Sequence, residues 1–223
     1  MKSSFRLIAL WCCLMSVSSL WAQRGGFRIG KGTFGRVEVG GSFLNLDGLN
    51  QALEEDGYEK LNPTYFSLGF GLDRFKRRWV IGGSLYNFMI QESFQNNQTA
   101  RLSYHYLTVR GGMVLFYEPE KFLIYPSVGI GAGLANVRER PASEPLPFEY
   151  WTQGVLIDAR LTASMVSELD VAQKVEWSIS IGYLHDPLDT WQLTSFRPDN
   201  PGIPINPGGF YFRLGMGMGN WRR

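Results

Sequence analysis

Apolar and polar residues alternate with period two in eight separate stretches of this chain, the spacing of a strand that buries one face. The seventh stretch shows it most cleanly, with Val175, Trp177, Ile179, Ile181 and Tyr183 on one side and Glu176, Ser178, Ser180 and Gly182 on the other. The eighth sets Phe210, Phe212, Leu214, Met216 and Met218 against Tyr211, Arg213, Gly215 and Gly217. The first and second run over Arg36–Leu44 and Tyr65–Leu72, where Val37, Val39, Phe66, Leu68 and Phe70 oppose Arg36, Glu38, Ser67, Gly69 and Gly71. Trp79–Ile90 alternates less regularly, and a bulge is expected near Gly82-Gly83. Leu102–Phe116 sets Leu107 and Val109 against Tyr106, Thr108 and Arg110; Phe122–Asn136 sets Val128, Ile130 and Leu134 against Gly129, Gly131 and Gly133. In the sixth, Ile157, Ala159 and Leu161 oppose Asp158, Arg160 and Thr162.

The connections predict an antiparallel meander with all its long links at one end. Links one, three, five and seven (Asn45–Pro63, Gln91–Ala100, Val137–Thr152 and Leu184–Gly209) are long, and the three between them are tight. Long loops on one rim, short turns on the other and an even strand number are the habit of outer-membrane barrels. The glycines decide which face is inside. An eight-stranded barrel has a lumen only just wide enough for side chains, so small residues there make room for long polar neighbours. The polar face is therefore read as interior and the apolar face as lipid-facing. The predicted fold is all-β: an eight-stranded antiparallel up-and-down transmembrane β-barrel with a packed polar interior.

The start of the chain reads differently. Lys2 and Arg6 precede an apolar stretch, Leu7–Leu20, and Leu20-Trp21-Ala22 offers a cleavage site, so residues 1–22 read as a secretory signal peptide. Residues 23–33 form an N-terminal segment and 34–221 the barrel domain. Both cysteines, Cys12 and Cys13, lie in the signal, which leaves the mature chain without thiol chemistry or disulfides. Removing Lys2 and Arg6 from 22 cations leaves 20 against 20 carboxylates, a neutral mature protein with no bulk pull on nucleic acid.

The signal peptide, eight alternating strands, long odd links and glycine-rich inner face together resemble the small eight-stranded outer-membrane β-barrel proteins of Gram-negative bacteria, including the porin-like barrels of unknown function. The resemblance spans about Phe34–Trp221. It implies a place in the cell outer membrane, contact with outer-membrane lipid and delivery by the outer-membrane assembly machinery. Such barrels usually end on an aromatic residue, whereas here Arg222 and Arg223 follow Trp221.

Seven inward charges carry the candidate chemistry: Arg36, Glu38, Arg110, Asp158, Arg160, Glu176 and Arg213. They read as a salt-bridged plug in a narrow lumen, with an ion path or proton relay as the functional alternative. His185, Asp186 and Asp189 form the one rim constellation with an acid–base flavour, though no nucleophile is marked beside them. Neither a cofactor nor a metal is implied, and the Gly-x-Gly runs sit inside strands with no following helix. In the first long link, Asp47 is expected to cap a short helix with Leu49 and Leu53 on one face and Gly57 as its stop. That helix is read either as a partner-binding element or as a cover packed over the barrel mouth. The last link holds five prolines with Trp191 and Phe196, and is read either as a surface for a protein partner or as a rigid cover. The expected role is structural or surface-interacting through the loops, not that of a diffusion pore. The alternatives are a lipid-modifying or proteolytic enzyme with a rim site at His185, and a soluble lipocalin-like carrier.

Overall fold

The computed structural model describes residues 30–95, 97–118, 122–142, 147–168, 173–188, 191–195 and 203–222. The expected signal peptide lies outside these residues, as do Asp189 and Phe196. Eight long strands form the wall: β1 (Lys31–Phe43), β2 (Thr64–Lys76), β3 (Trp79–Gln95), β4 (Gln98–Met113), β6 (Phe122–Arg140), β7 (Phe148–Glu168), β8 (Lys174–His185) and β11 (Gly209–Arg222). Three short strands, β5 (Phe116–Glu118), β9 (Gln192–Ser195) and β10 (Ile203–Pro204), and one helix, α1 (Asp47–Glu55), complete the described elements. Every pairing is antiparallel, and the order β7-β8-β11-β1-β2-β3-β4-β6 closes through β6 pairing with β7. Closure leaves no unpaired edge among the eight wall strands, which hydrocarbon surroundings would penalise heavily. Among the described residues no helix is long and apolar enough to cross a membrane.

The alternation sets which side chains fill the lumen. Arg36, Glu38, Thr108, Arg110, Ser178 and Ser180 are buried, while Val37, Val109, Ile130, Trp177, Ile179 and Phe212 stand exposed on the outside. An inward greasy cavity of the lipocalin kind is thereby excluded, since the apolar face forms the exterior. Inner-face glycines seat bulky neighbours. Gly69 pairs with Tyr86 and Gly182 with Tyr211, and a Cβ at either glycine would collide with the facing ring.

Two expectations about connections are corrected. Links three and five are much shorter than expected, because β3 and β4 extend to Gln95 and Gln98 and β6 and β7 extend to Arg140 and Phe148. Above the apolar belt, charged residues such as Glu92 and Arg138 enter the outer face among exposed Phe94 and Trp151, so period two fades from the sequence while the hydrogen-bond ladder continues. The bulge sits at Met89-Ile90 rather than at Gly82-Gly83. There the β3–β4 register shifts between Phe88 and Gln91, and both Met89 and Ile90 face outward.

Candidate functional site: the lumen and its mouth

The lumen is filled in three layers. At the short-turn end, Phe34, Phe75, Tyr125 and Trp221 pack together, with Phe75 edge-on to Tyr125 at 5.5 Å and Trp221 stacked on Tyr117 at 5.8 Å between ring centroids. Trp221, the last aromatic of the chain, thus turns inward as part of this floor.

The middle layer contains all seven expected interior charges and one that sequence reading missed, Asp73. It therefore holds four arginines and four carboxylates, all buried. Arg36 on β1 is the hub, reaching Glu38 Oε1 at 2.8 Å, Glu176 Oε1 at 3.2 Å and Asp73. Asp73 on β2 bridges Arg36 and Arg110, with Arg110 Nη2 at 2.7 Å from its Oδ1, and accepts the Tyr125 hydroxyl at 2.9 Å. Arg160 on β7 joins Glu38 at 3.3 Å and Asp158 at 3.2 Å, and also donates to the Tyr86 and Tyr211 hydroxyls at 2.7 and 2.9 Å. Tyr86 in turn donates to Glu38, and Tyr211 to Asp158. Arg213 on β11 is held differently. Its guanidinium lies 3.5 Å from the Tyr86 ring centroid and 3.8 Å from that of Tyr211, and no carboxylate lies within ion-pair reach among the described residues. A cation held between two aromatic faces uses their quadrupoles in place of a counter-charge. Equal numbers of both signs and a ring of tyrosines compensate the layer, because each buried charge meets an opposite charge, a hydroxyl or a π face. Asp73 was legible by parity, sharing the inner face with Gly69 and Gly71, but it stood next to the expected turn.

The upper layer closes the mouth. Helix α1 buries Leu49 and Leu53 completely. Asp47 does not cap it: the N-cap is Leu46, and Asn45 Oδ1 receives the Asp47 amide at 3.3 Å. Gly57, at φ 82°, ends the helix as its sequence implies. Asn50 clasps the returning chain, donating to the Leu61 carbonyl at 3.0 Å and accepting its amide at 2.9 Å. From the last link, Trp191 enters the mouth, 1% exposed, and stands edge-on to Tyr104 at 5.7 Å. Its indole occupies a slot made by Gly133 and Gly154, direct cross-strand partners on β6 and β7; a Cβ on Gly133 would lie 2.7 Å from the ring, and one on Gly154 would overlap it. Leu49, Leu53 and Trp191 consequently serve the barrel's own core and offer no side chain to a partner, which corrects the reading of them as loop contact points.

At the rim, Glu139 is buried beside Asp56 of the α1 terminus, and this burial, reinforced by the like charge, pushes its carboxyl up to about 7. His185 stacks on Tyr183 at 6.5 Å on the outer face, whereas Asp186 is buried and accepts the Leu188 amide at 3.0 Å. The two face opposite ways, so these two members of the rim constellation are not brought together; the third, Asp189, lies outside the described residues. Among the described residues no group of three or more His, Cys, Asp or Glu side chains is placed to hold a metal.

No protein-family model matches the chain, and no characterised protein matches it by sequence. Similar solved structures include Ail, the attachment invasion locus protein of Yersinia pestis, crystallised with the heparin analogue sucrose octasulfate (14% identity, TM-score 0.47, covering 85% of this chain and 99% of that one). Neisserial surface protein A is similar at 7% identity and TM-score 0.41, over 86% and 98% of the two chains. The N-terminal β-barrel domain of Pseudomonas aeruginosa OprF is similar at 10% and 0.36, over 84% and 96%. At these identities the likenesses say nothing of ligand or partner. By its own geometry, the chain has the architecture of the small eight-stranded outer-membrane barrels that its sequence pattern resembles: a closed antiparallel barrel, apolar outside and filled by charges and aromatics within.

Proposed function

We propose that this protein is an outer-membrane β-barrel, exported by its N-terminal signal peptide, with a structural or surface-interacting role and neither a diffusion pore nor an enzymatic site. The observation that carries this reading is a lumen filled from end to end inside an apolar exterior. Arg36, Arg110, Arg160 and Arg213 lie across the bore at mid-height, held by carboxylates and rings, and α1 with Trp191 covers the mouth. A solute would have to break buried ion pairs to pass, which costs several kcal/mol each. Because Leu49, Leu53 and Trp191 are turned inward, a protein partner meets the outer surfaces of the extended hairpins, where Glu92 and Arg138 stand exposed beside Phe94. The test is fractionation of the expressing bacterium, with electrophoresis of the membrane fraction before and after boiling. A detergent-extracted band whose mobility changes on heating is expected; a soluble periplasmic protein contradicts the reading.

A further inference from the structure

The short-turn end carries an unexplained set of cations. Lys31 on β1 and Lys76 on β2 are direct cross-strand partners, and two residues further along the same strands Arg74 lies opposite Thr33. Lys31, Arg74 and Lys76 are all exposed on the outer face. The two-residue turn Arg77–Arg78 follows, with Arg77 also exposed and held at φ 58°. Two of these placements, the Lys31–Lys76 pair and Arg77 at positive φ, are locally unfavourable. Like charges directly opposite on neighbouring strands are destabilising, and the first residue of a tight hairpin at positive φ is a place for glycine or asparagine. Among the described residues none of Lys31, Arg74, Lys76 and Arg77 has an ion-pair partner. Departures from local preference that converge on one patch mark a functional constraint rather than a folding one.

The neighbourhood indicates what the patch meets. The outer faces of these strands turn apolar directly above it, with Leu72, Trp79 and Ile81 all more than half exposed. An indole beside a row of cations, at the lower edge of an apolar belt, suits the boundary between acyl chains and headgroups. We propose that Lys31, Arg74, Lys76 and Arg77 form a binding surface for phosphate-bearing anionic phospholipid headgroups of the leaflet at the short-turn end, with the acyl chains lying along Leu72, Trp79 and Ile81. This rests on the membrane reading above. Anionic lipid supplies the counter-charge that the fold omits, and its attraction amounts to about fivefold in affinity for each cation near the surface.

The full mature chain, refolded in vesicles of phosphatidylcholine mixed with phosphatidylglycerol, is extracted in neutral detergent, and retained lipids are counted by native mass spectrometry. Retention of phosphatidylglycerol over phosphatidylcholine by about tenfold or more is expected, weakening as salt rises. The variant Lys31→Gln/Arg74→Gln/Lys76→Gln/Arg77→Gln loses that preference. A control with Arg101→Gln/Arg138→Gln/Arg140→Gln, at the opposite rim, keeps it. Arg77→Gly alone, which relieves the turn, gives a well-folded second variant with a reduced preference. Equal retention of both lipids by the wild type overturns the proposal, as does a preference unchanged in the fourfold variant. Displacement of the lipid by free glycerol phosphate at similar concentration also overturns it, in favour of a soluble anion. A lipid-blind wild type whose fourfold variant alone fails to reach the outer membrane in cells overturns it in favour of a protein contact. Flotation of the wild type with pure phosphatidylcholine vesicles separates the two readings: without flotation the membrane reading itself fails, whereas flotation without lipid preference removes only this inference.

Discussion

Four arginines and four carboxylates fill the middle of the lumen, while leucines, tyrosines and one tryptophan fill its mouth, and both regions exclude solvent. They differ in what holds them. In the middle, Asp73 has three partners on three other strands, Arg36 on β1, Arg110 on β4 and Tyr125 on β6, so removing one group strands several others. At the mouth, Leu49, Leu53 and Trp191 come from connecting segments that lie over the finished wall. The middle is thus part of the wall's own stability, whereas the mouth is a cover expected to open before the wall does.

The largest effect that sharpens this contrast is expected from Asp73→Asn. It leaves Arg110 without a carboxylate and removes one of three from Arg36, an uncompensated buried charge costing about 3–5 kcal/mol. The heat-shift midpoint of the refolded barrel should fall substantially. Next comes Gly154→Ala, whose new methyl group overlaps the Trp191 indole. Overpacking of that kind costs roughly 1–3 kcal/mol, but it should be spent locally by displacing Trp191. Limited proteolysis of the 186–208 link should accelerate while the heat-shift midpoint moves little. An equal fall in the midpoint for both variants would erase the distinction between wall and cover.

The smallest effect is a pH dependence at the mouth. Glu139 lies above the apolar belt with its pKa raised from the ordinary carboxylate value to about 7. The folded state then holds a proton more tightly than the unfolded one. Stability is fully present below pH 4.5, falls as pH rises toward about 7 and stays low above it. Glu139→Gln should remove the slope and stabilise the mouth by roughly 1–2 kcal/mol at pH 8. Rim proteolysis measured at pH 5 and pH 8 reads this directly: the wild type should be more resistant at pH 5, and the variant equally resistant at both.

The wall was legible in the sequence because lipid and lumen impose opposite demands on alternate residues, as Val175–Tyr183 shows. Legibility stopped where one of those demands stopped. Beyond Ile90 and Leu134 the outer face carries Glu92, Arg101 and Arg138, so the ends of β3, β4 and β6 read as loop although the ladder continues. The Met89-Ile90 bulge left a signal in the unbroken apolar run Phe88-Met89-Ile90 at the end of an alternating stretch. Asp73 left a parity signal next to a turn. The slot for Trp191 left none, because Gly133 and Gly154 become neighbours only through the β6–β7 register. The burial of Leu49 and Leu53 follows the apolar face of α1, but the sequence does not say whether such a face meets a partner or the chain's own barrel.

The central claim is that alternate residues of one strand face lipid and a dry, filled lumen. Both native cysteines, Cys12 and Cys13, precede the barrel, so single cysteines can be placed along β8 from 176 to 181 and spin-labelled in the refolded protein in vesicles. The account predicts oxygen accessibility that peaks at 177, 179 and 181, with 176, 178 and 180 closed both to oxygen and to a water-soluble relaxant. Peaks at the even positions, or open access of the water-soluble relaxant to them, would contradict it.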